Sequence, residues 1–539
     1  MTVLLFFIVT YILLSISLYF LFPKAGVSGI KGLIPGVNFV EWAKLIGRKP
    51  AYALLLLIPI VNIFIYCGMA VDLVRSFGKL EFKHTAAAVI YAPAIFFKIA
   101  FNEKDKYTGP ILTQEAEYTR QIEEAKEKND NYALKRLHEN NPYKKSTTRE
   151  WVESLVFAVF AAAFIRMFLI EAYVIPTPSM EGSLNVGDFL FVSKAHYGIR
   201  TPMTVAMVPL LHNRIPGLNT ESYIKEPSLP YYRLPAIQDV QRGEPFVFNW
   251  PVGDSVYITP ERSYTANQLK RMGVTNFKQF GDLIVRPIDK KDHYIKRCVA
   301  IAGDTLSIKD GRIYIDGEPE KVPTHRQFRY TVELPQGANV YPEKLDKIGI
   351  DMGDSALKYD RRYANLSYVF QLEGKDILFL DDAQVQQLKE MYPGIKIEKE
   401  VNAPDPARVF PHSEDFYKDW SVDNYGPIWI PAKGESIALT PKNIEIYGRA
   451  IRVYEGNTLT REGGQYFVNG KATKRYTFKQ DYYWAMGDNR HNSEDSRAWG
   501  FVPHHHIVGK PLFIWFSTKE GNISNGINWD RIFMSANVD

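Results

Sequence analysis

A serine in a proline-framed segment is the first residue of the chain that could do chemistry. Ser179 lies in the sequence IPTPSM at residues 175–180, directly after an apolar stretch. The prolines on either side of Thr177 exclude a helix and favour a stiff, extended chain, which would hold the Ser179 hydroxyl on a fixed backbone. A plain linker beside a membrane is the alternative interpretation of this segment taken alone.

A lysine in a β-type segment is the second such residue. Residues 293–304 read HYIKRCVAIAGD, and their alternation places Tyr294, Lys296 and Cys298 on one face of a strand. Burial without a counter-charge lowers the pKa of a lysine from about 10.4 by up to several units, and a neutral lysine can accept the proton of a serine hydroxyl. An exposed strand lysine is the more ordinary alternative.

A polar loop at residues 486–503, MGDNRHNSEDSRAWGFVP, is the third candidate. It is dense in Asp, Asn, Ser and Arg. The D-x-D-x-D-G spacing and the later glutamate of a calcium-binding EF-hand loop are missing, so we predict no metal ion here. The run His504–His506 is interpreted as a rim cluster after a proline rather than as a metal site.

Together, in this order after an apolar span, the three segments resemble the type I bacterial signal peptidases. These are membrane-bound Ser/Lys proteases that cut signal peptides from exported preproteins. The match covers residues 171–192, 242–248, 294–308 and 476–516. The resemblance implies N-terminal transmembrane helices followed by a mainly antiparallel β catalytic domain with a smaller inserted subdomain. It also implies a hydrolase that needs no cofactor.

The resemblance assigns the reacting groups. Ser179 is expected to be the nucleophile that forms an acyl-enzyme, and Lys296 the general base that takes its proton, a pairing that needs no histidine. The Ser179 N–H and the Thr177 hydroxyl are expected to form the oxyanion hole, the set of donors that stabilises the charged intermediate.

The third segment is expected to support this pair rather than to react. By the resemblance, Ser493 orients the lysine amine, and Asp495 forms an ion pair with Arg497 that braces the loop. His491 stands where the family often has aspartate, so we expect it to act at most through a neighbouring residue. None of the 11 histidines needs a catalytic role.

The family prefers small residues one and three positions before the cut, the Ala-X-Ala rule. Its physical basis is two shallow apolar pockets beside an extended substrate, which would add as a strand next to residues 175–180. The candidate lining residues, by position, are Ile175, Pro176, Met180, Leu184, Tyr294 and Ile295.

The chain departs from the family pattern in three ways. Pro178 replaces a common small residue directly before the nucleophile, which should stiffen the loop without removing the Ser179 N–H. The one or two N-terminal spans of the family are extended to three or four. The stretches 197–292 and 320–445 are longer than a minimal enzyme needs, and they carry no motif that indicates a role.

Composition excludes several other classes of protein. The 539 residues are 46% hydrophobic and 23% charged, which is too apolar for a mainly disordered chain. The formal charge of +5 does not favour nucleic acid. The two cysteines, Cys67 and Cys298, lie far apart, which excludes a disulfide scaffold and a CxxC zinc site.

The N-terminal third reads as a membrane region. Residues 3–22 carry no charge and are long enough to cross ~30 Å of hydrocarbon. No Lys or Arg precedes them and no A-x-A-like site follows, so we predict a retained anchor rather than a cleaved signal peptide. Residues 52–71 and 152–174 are further predicted spans, whereas 85–101 could be a span, a re-entrant piece or an interfacial helix.

Charge sets the expected orientation. Residues 102–150 hold ten Lys and Arg, which favours the cytoplasmic side. The last span would then exit on the far side of a bacterial cytoplasmic (inner) membrane, so that the catalytic part is extracytoplasmic. Arg166, inside that span, is expected to reach headgroups or a partner helix.

The predicted organisation follows from these patterns. After residue 180 short alternating runs between turn residues indicate antiparallel strands. The segments 303–317 and 456–470 repeat one hairpin pattern at identical spacing. The expected parts are a membrane region at 1–101, a charged cytoplasmic linker at 102–150, a transmembrane helix at 151–174, a β-rich catalytic domain at 175–318 and 440–539, and an inserted subdomain at 319–439.

Two other functions are alternatives to a signal peptidase. A catalytically silent membrane scaffold or preprotein-binding relative would lack the serine or the lysine. A self-cleaving Ser/Lys protease of the repressor type would be soluble and carry a DNA-binding element. The expected partners are preproteins with signal peptides and membrane lipid, with no nucleic acid, and association with the export machinery stays open.

Overall fold

The computed structural model of the chain forms two compact units, Met1–Ala158 and Val159–Asp539. It describes residues 2–57, 61–204, 206–213, 215, 220–226, 228–258, 263–280, 283–321, 323–335, 338, 344–345, 347–350, 370–372 and 375–537.

The first unit is helical, and its core lies among its apolar helices. Leu18, Trp42 and Phe96 are fully buried there, and the Trp42 indole N–H donates to the Met69 carbonyl at 3.0 Å. The α-helices of the chain are α1 (Thr2–Leu21), α2 (Ile30–Leu33), α3 (Val37–Leu45), α4 (Val61–Arg75), α5 (Phe82–Phe101), α6 (Ile111–Glu127), α7 (Asn131–Glu139), α8 (Thr147–Phe168), α9 (Ala266–Arg271), α10 (Asp382–Met391), α11 (Glu414–Tyr417), α12 (Pro441–Arg449) and α13 (Ser496–Trp499).

Three helices are long and apolar enough to cross a membrane among the described residues: Ile8–Ala25, Phe82–Phe101 and Thr147–Phe168. The undecided segment 85–101 therefore falls in α5. That helix is kinked at Tyr91 (φ −158°, ψ 87°), two residues before Pro93, because a proline ring clashes with the preceding turn.

The other two predicted spans differ from the structure. Within 52–71, the described residues form a 3₁₀-helix, Pro50–Leu57, and then α4. The span predicted to reach Val174 ends as a helix at Phe168, because the next apolar residues pair as a strand. Hydropathy alone does not distinguish an apolar run that forms a helix from one that forms a strand.

The second unit is built on antiparallel strands, which confirms the expected fold class. Its largest sheet has seven strands in the order β1-β2-β23-β3-β7-β21-β22. The strands of the chain are β1 (Ile170–Val174), β2 (Asp188–Ser193), β3 (Pro245–Asn249), β4 (Ser255–Ile258), β5 (Ser263–Tyr264), β6 (Ile284–Val285), β7 (His293–Ala300), β8 (Thr305–Lys309), β9 (Arg312–Ile315), β10 (Glu318–Pro319), β11 (Phe328–Glu333), β12 (Phe370–Leu372), β13 (Lys375–Leu380), β14 (Lys396–Lys399), β15 (Tyr425–Trp429), β16 (Ser436–Ala438), β17 (Leu459–Glu462), β18 (Gln465–Val468), β19 (Lys471–Ala472), β20 (Arg475–Thr477), β21 (Tyr482–Met486), β22 (Val502–Pro503) and β23 (Ile507–Ser517).

The repeated sequence pattern forms two hairpins, β8–β9 and β17–β18, in different sheets. In each, the residue before the closing glycine has a positive φ, 53° at Asp316 and 51° at Asn469. The side-chain oxygen of each accepts the backbone N–H at the start of its hairpin, Thr305 and Thr458, at 2.9 Å. Short polar side chains tolerate this backbone conformation best, which explains the matching positions.

Part of the predicted insertion has a core of its own. A sheet in the order β12-β13-β11-β14 packs with α10 around Phe328, Tyr330, Leu378 and Leu388. Strand β15 lies within the same predicted segment, yet it pairs with β8 in another sheet. The chain from 319 to 439 therefore contains both a separate small core and a strand that joins its neighbours.

Candidate active site

Ser179 lies in a single 3₁₀ turn, Pro178–Met180, five residues after β1 ends. Thr177 enters that turn with an extended backbone (φ −139°, ψ 151°), as expected next to a proline. The Ser179 carbonyl accepts the N–H of Asn489 at 3.2 Å, so the turn is held by the polar loop. The Ser179 side chain itself is only partly buried, which leaves its hydroxyl within reach of a ligand.

Lys296 lies in the middle of β7, which runs between β3 and β21 in the large sheet. Its Nζ lies 2.7 Å from Ser179 Oγ and 2.9 Å from the Ile295 carbonyl oxygen. The residue is only 4% exposed. The sheet therefore brings a lysine against a serine 117 positions earlier in the chain, at hydrogen-bonding distance.

Burial controls the electrostatics of this pair. Desolvation lowers the pKa of Lys296 to about 8, while the carboxylates of Asp495, Glu494 and Asp488 oppose that shift. At neutral pH the amine is neutral in roughly a tenth of the molecules, compared with well under a thousandth for an ordinary lysine. A neutral amine can accept a proton from the hydroxyl that it touches.

Two buried ion pairs surround the lysine. Arg297 donates to both carboxylate oxygens of Asp488, at 2.8 and 2.7 Å, and Arg497 donates to both of Asp495, at 2.9 and 2.7 Å. All four residues are at most 3% exposed. Such bidentate pairs fix geometry as well as charge. The first pair holds the polar loop against β7, and the second, predicted pair braces the loop internally.

Gly487 provides the closest packing in the site. A β-carbon at this position would lie 2.3 Å from both the Ser179 carbonyl oxygen and Ser493 Oγ, nearer than real atoms approach. The Gly487 N–H donates to Asp495 Oδ2 at 3.2 Å. Only a residue without a side chain lets the loop lie this close to the Ser179 turn.

Comparison with known proteins identifies the family. Residues 148–348 and 430–516, together more than half of the chain, match the family described as signal peptidase, peptidase S26. The chain belongs to this family. It is therefore a hydrolase, a serine endopeptidase of the signal peptidase type. Residues 30–110 separately match a family of unknown function.

Several curated relatives are named signal peptidase I. The one from Haemophilus influenzae is 25% identical over 393 residues, covering 72% of this chain and 76% of the relative. The one from Helicobacter pylori strain 26695 is 23% identical over 396 residues, covering 71% and 90%. The one from Aquifex aeolicus is 21% identical over 375 residues, covering 69% and 85%.

The structure does not form one hydrogen bond expected for a signal peptidase of this type. Ser493 was expected to bond the lysine amine, but Lys296 Nζ donates to Ser179 Oγ and to the Ile295 carbonyl. Among the described residues, no hydrogen bond joins Ser493 Oγ to Lys296; the Ser493 hydroxyl is buried beside Gly487 and interacts with the Asp495 carboxylate. Ser493 therefore contributes to the close packing at Gly487 rather than to a hydrogen bond with Lys296.

The predicted substrate-lining residues divide into groups. Ile175, Met180 and Leu184 are buried in one apolar cluster, and Ile295 packs against it. Met180 and Leu184 have no exposed surface, so they do not themselves present a face to a substrate. The remaining two lie apart from that cluster: Pro176 is exposed, and Tyr294 stacks on Trp250 with ring centres 5.5 Å apart.

The Thr177 hydroxyl, expected in the oxyanion hole, lies at the entrance of the turn. Thr177 is exposed, and its side chain makes no capping hydrogen bond to the turn that follows. Its backbone is extended, as the flanking prolines predict, and its role in the oxyanion hole stays a prediction.

The histidines serve other partners. His491 Nε2 lies 2.7 Å from Asp423 Oδ1, and its Nδ1 accepts the Arg329 N–H at 3.1 Å, so it ties the polar loop to the inserted segment. In the predicted rim cluster, His506 Nε2 lies 3.1 Å from Lys291 Nζ. No group of three metal-binding side chains occurs among the residues that the structure describes.

Sequence reasoning missed several residues that complete the site. Arg297 could have been noticed because it follows Lys296 directly, and Asp488 because it lies inside the polar loop. Gln327 gives no such signal. Its N–H donates to the Asp488 carbonyl and its carbonyl accepts the Arg490 N–H, both at 2.9 Å, and it lies near the start of the insertion.

Replacing Gly487 with alanine should abolish most peptidase activity. The added β-carbon would displace the Ser179 turn, and a 1 Å misplacement of a reacting group can cost about 100-fold in rate. We expect kcat to fall at least ~100-fold, with the unfolding temperature as the check on folding. Gly68→Ala, where nothing lies within 4 Å of the new carbon, is the matched control. Full activity in Gly487→Ala would contradict the close packing described here.

Proposed function

We propose that this signal peptidase cleaves exported preproteins after Ala-X-Ala-like sites, with Ser179 as nucleophile and Lys296 as general base. The observation that supports the proposal most is the 2.7 Å contact between Lys296 Nζ and Ser179 Oγ, made by a lysine that is almost fully buried. An amine whose pKa is lowered to about 8, in contact with a hydroxyl, is the arrangement that activates a serine.

The proposed reaction has two halves. Lys296 takes the proton of Ser179 Oγ as that oxygen attacks the scissile carbonyl carbon, and a tetrahedral oxyanion forms. The lysine ammonium then gives its proton to the leaving amine as the peptide bond breaks, which leaves an acyl-enzyme. A water molecule, deprotonated by the same amine, attacks the ester carbonyl carbon. The lysine ammonium then returns the proton to Ser179 Oγ as the ester bond breaks, which releases the signal peptide with a new carboxylate.

Stabilisation of the oxyanion is assigned to two donors. The Ser179 N–H follows the rigid Pro178, and the Thr177 hydroxyl lies on the extended segment before it. Donors of this kind are typically worth ~10²–10³ in kcat each, because they are in place before charge develops. The hydrogen bond from Asn489 to the Ser179 carbonyl helps to hold the turn in that conformation.

Specificity is assigned to the apolar cluster beside the turn. An extended substrate would pair with residues 175–180 as an added strand, which places alternate side chains against the wall that Ile175 and Ile295 help to form. Buried Met180 and Leu184 fill the space behind this wall, so only small substrate side chains would fit.

The proposed location is the bacterial inner membrane, with the catalytic unit on the extracytoplasmic side. The three apolar helices and the ten Lys and Arg of segment 102–150 support this orientation. Membrane lipid is a proposed partner, because three apolar side chains are exposed on strands of the large sheet. Ile170 and Val174 on β1 are 40% and 47% exposed, and Trp515 on β23 is 37% exposed. Strand β1 follows α8 directly in the sequence. The export machinery is a further proposed partner.

Cleavage of one defined preprotein tests the mechanism and the specificity together. The purified full-length chain in detergent should cut an Ala-X-Ala preprotein directly after the second alanine. Ser179→Ala and Lys296→Ala should each lower kcat/KM at least ~10³-fold, because removing either member of a catalytic pair costs about as much as removing both. Substrates with leucine in place of either alanine should be cut poorly.

Matched surface variants control for that experiment. Ser524→Ala and Lys471→Ala change the same residue types at exposed positions and should keep full activity. A native chain that binds the preprotein without cutting it would favour the silent-scaffold alternative. Full activity in Lys296→Ala would show that another group is the base.

The pH dependence of kcat/KM should follow the neutral form of Lys296. Burial lowers its pKa to about 8, so the rate should rise about tenfold per pH unit below that value and level off above it. Lys296→Arg, which stays charged throughout, should be inactive at every pH. A rate that is flat between pH 6 and pH 8 would contradict the assignment of this lysine as the base.

Protease accessibility tests the orientation. In spheroplasts, an added protease should reach the catalytic unit after residue 175 and leave segment 102–150 intact. Inverted vesicles should give the opposite pattern, detected with antibodies to each segment. Digestion of segment 102–150 in intact spheroplasts would reverse the proposed topology.

A further inference from the structure

A cavity of about 90 Å³ with both apolar and charged lining residues lies where α8 gives way to β1, and the Ser179 turn is not part of its wall. It is several times larger than the ~15 Å³ of probe-occupied space that one water molecule needs. Its walls come from the last turns of α8, from β1, and from residues 200–212 and 289–293 of the long insertion. The charged and imidazole side chains that line it include Arg166, Glu171, Lys194, Arg200, Lys290 and His293.

Both carboxylates in the cavity wall already have partners. Glu171 is buried, and its two oxygens meet Arg166 Nε and Lys194 Nζ, each at 2.8 Å. Asp289 accepts the N–H of Thr204 at 2.8 Å and the Thr204 hydroxyl at 2.9 Å. Arg166 was expected to reach headgroups or another helix; it pairs instead with a carboxylate from the strand that follows its own helix.

Two cations of the wall have no carboxylate partner within the described chain. Lys290 is 3% exposed, and its Nζ meets only Met207 Sδ, at 2.9 Å, and the face of the Tyr223 ring, at 5.3 Å. Arg200 donates to neutral acceptors, Asn249 Oδ1 at 2.9 Å and a backbone carbonyl. A sulfur and a ring face are weak partners for a buried ammonium group.

The histidines do not add to this charge. Burial lowers the pKa of His212 to about 4 and that of His293 well below its usual value, so both are neutral at pH 7. Four cations therefore face two carboxylates around one cavity. Burial lowers the pKa of Lys290, because its ammonium form is costly without a charged partner. A bound anion would remove that cost, and the cavity has the room for one.

The position of the cavity indicates which anion. Its wall includes Arg166 and Met167 from the end of α8, a helix long and apolar enough to cross a membrane. The headgroups of the bilayer lie at the end of such a helix. We propose that this cavity binds the phosphate group of an anionic phospholipid, with Lys290 and Arg200 as its main ligands. The long insertion at 197–292 would then attach the catalytic unit to the membrane surface through a lipid.

Lipid-dependent stabilisation of the full-length chain tests the proposal. The detergent-solubilised protein is titrated with phosphatidylglycerol, with phosphatidylcholine of the same acyl chains, and with inorganic phosphate, and the unfolding temperature is followed. Phosphatidylglycerol should raise it most. Lys290→Met, which keeps the length of the side chain without its charge, should weaken the apparent affinity about tenfold, as expected for one lost charged hydrogen bond.

The controls separate the possible sources of the anion. Lys471→Met removes an exposed lysine and should bind like the native chain. Lys290→Met should unfold normally without lipid and still cut a soluble peptide, which shows that it is folded. Equal stabilisation by inorganic phosphate would overturn the assignment to a lipid. Equal responses to the two lipids, or an unchanged affinity in Lys290→Met, would overturn the site itself.

Discussion

The rest of the catalytic unit depends on one constraint, the burial of the Lys296 amine against Ser179 Oγ. A strand lysine becomes buried only when both neighbouring strands and a covering loop surround it, and here β3, β21 and the polar loop do so. Nearby carboxylates would cancel the effect by favouring the ammonium form. Asp488 and Asp495 are each held by an arginine, which limits the negative charge that the amine senses. The two ion pairs are thus part of the electrostatics of the lysine as well as braces of the loop.

The same constraint explains why the inserted segment packs on the polar loop. Gln327 forms a bridge with Asn489, whose N–H also holds the Ser179 carbonyl. A second link, from His491 to Asp423, fixes the loop from the other end of the insertion. The residues that position Ser179 are therefore supported in turn by the inserted segment 319–439. The insertion belongs to the architecture of the site, whatever else it contacts.

At the membrane end, the change from α8 to β1 decides where charge is placed. Because the helix stops at Phe168, Glu171 lies in a strand and meets Arg166 and Lys194 at a buried site. A continuous helix to residue 174 would have presented these groups to lipid or headgroups instead. The strand also begins the large sheet that carries both β2 and β23. One short transition thus joins a membrane helix to the catalytic sheet and creates the cationic cavity beside it.

The sequence by itself determined the classes of structure: apolar helices first, antiparallel strands after residue 180, two matching hairpins, and a serine and a lysine of the types that could react. These features follow from local composition and periodicity, which can be read from short stretches of the sequence. Only the tertiary structure decided the pairing of Arg297 with Asp488, the role of Gln327, the end of α8 and the cavity at Lys290. Each depends on partners many residues apart, and sheet order, which sets those partners, has no local signature. The expected hydrogen bond from Ser493 to Lys296 also depends on such packing. In the structure Ser493 lies beside Gly487, and the lysine amine donates to Ser179 and to the Ile295 carbonyl instead.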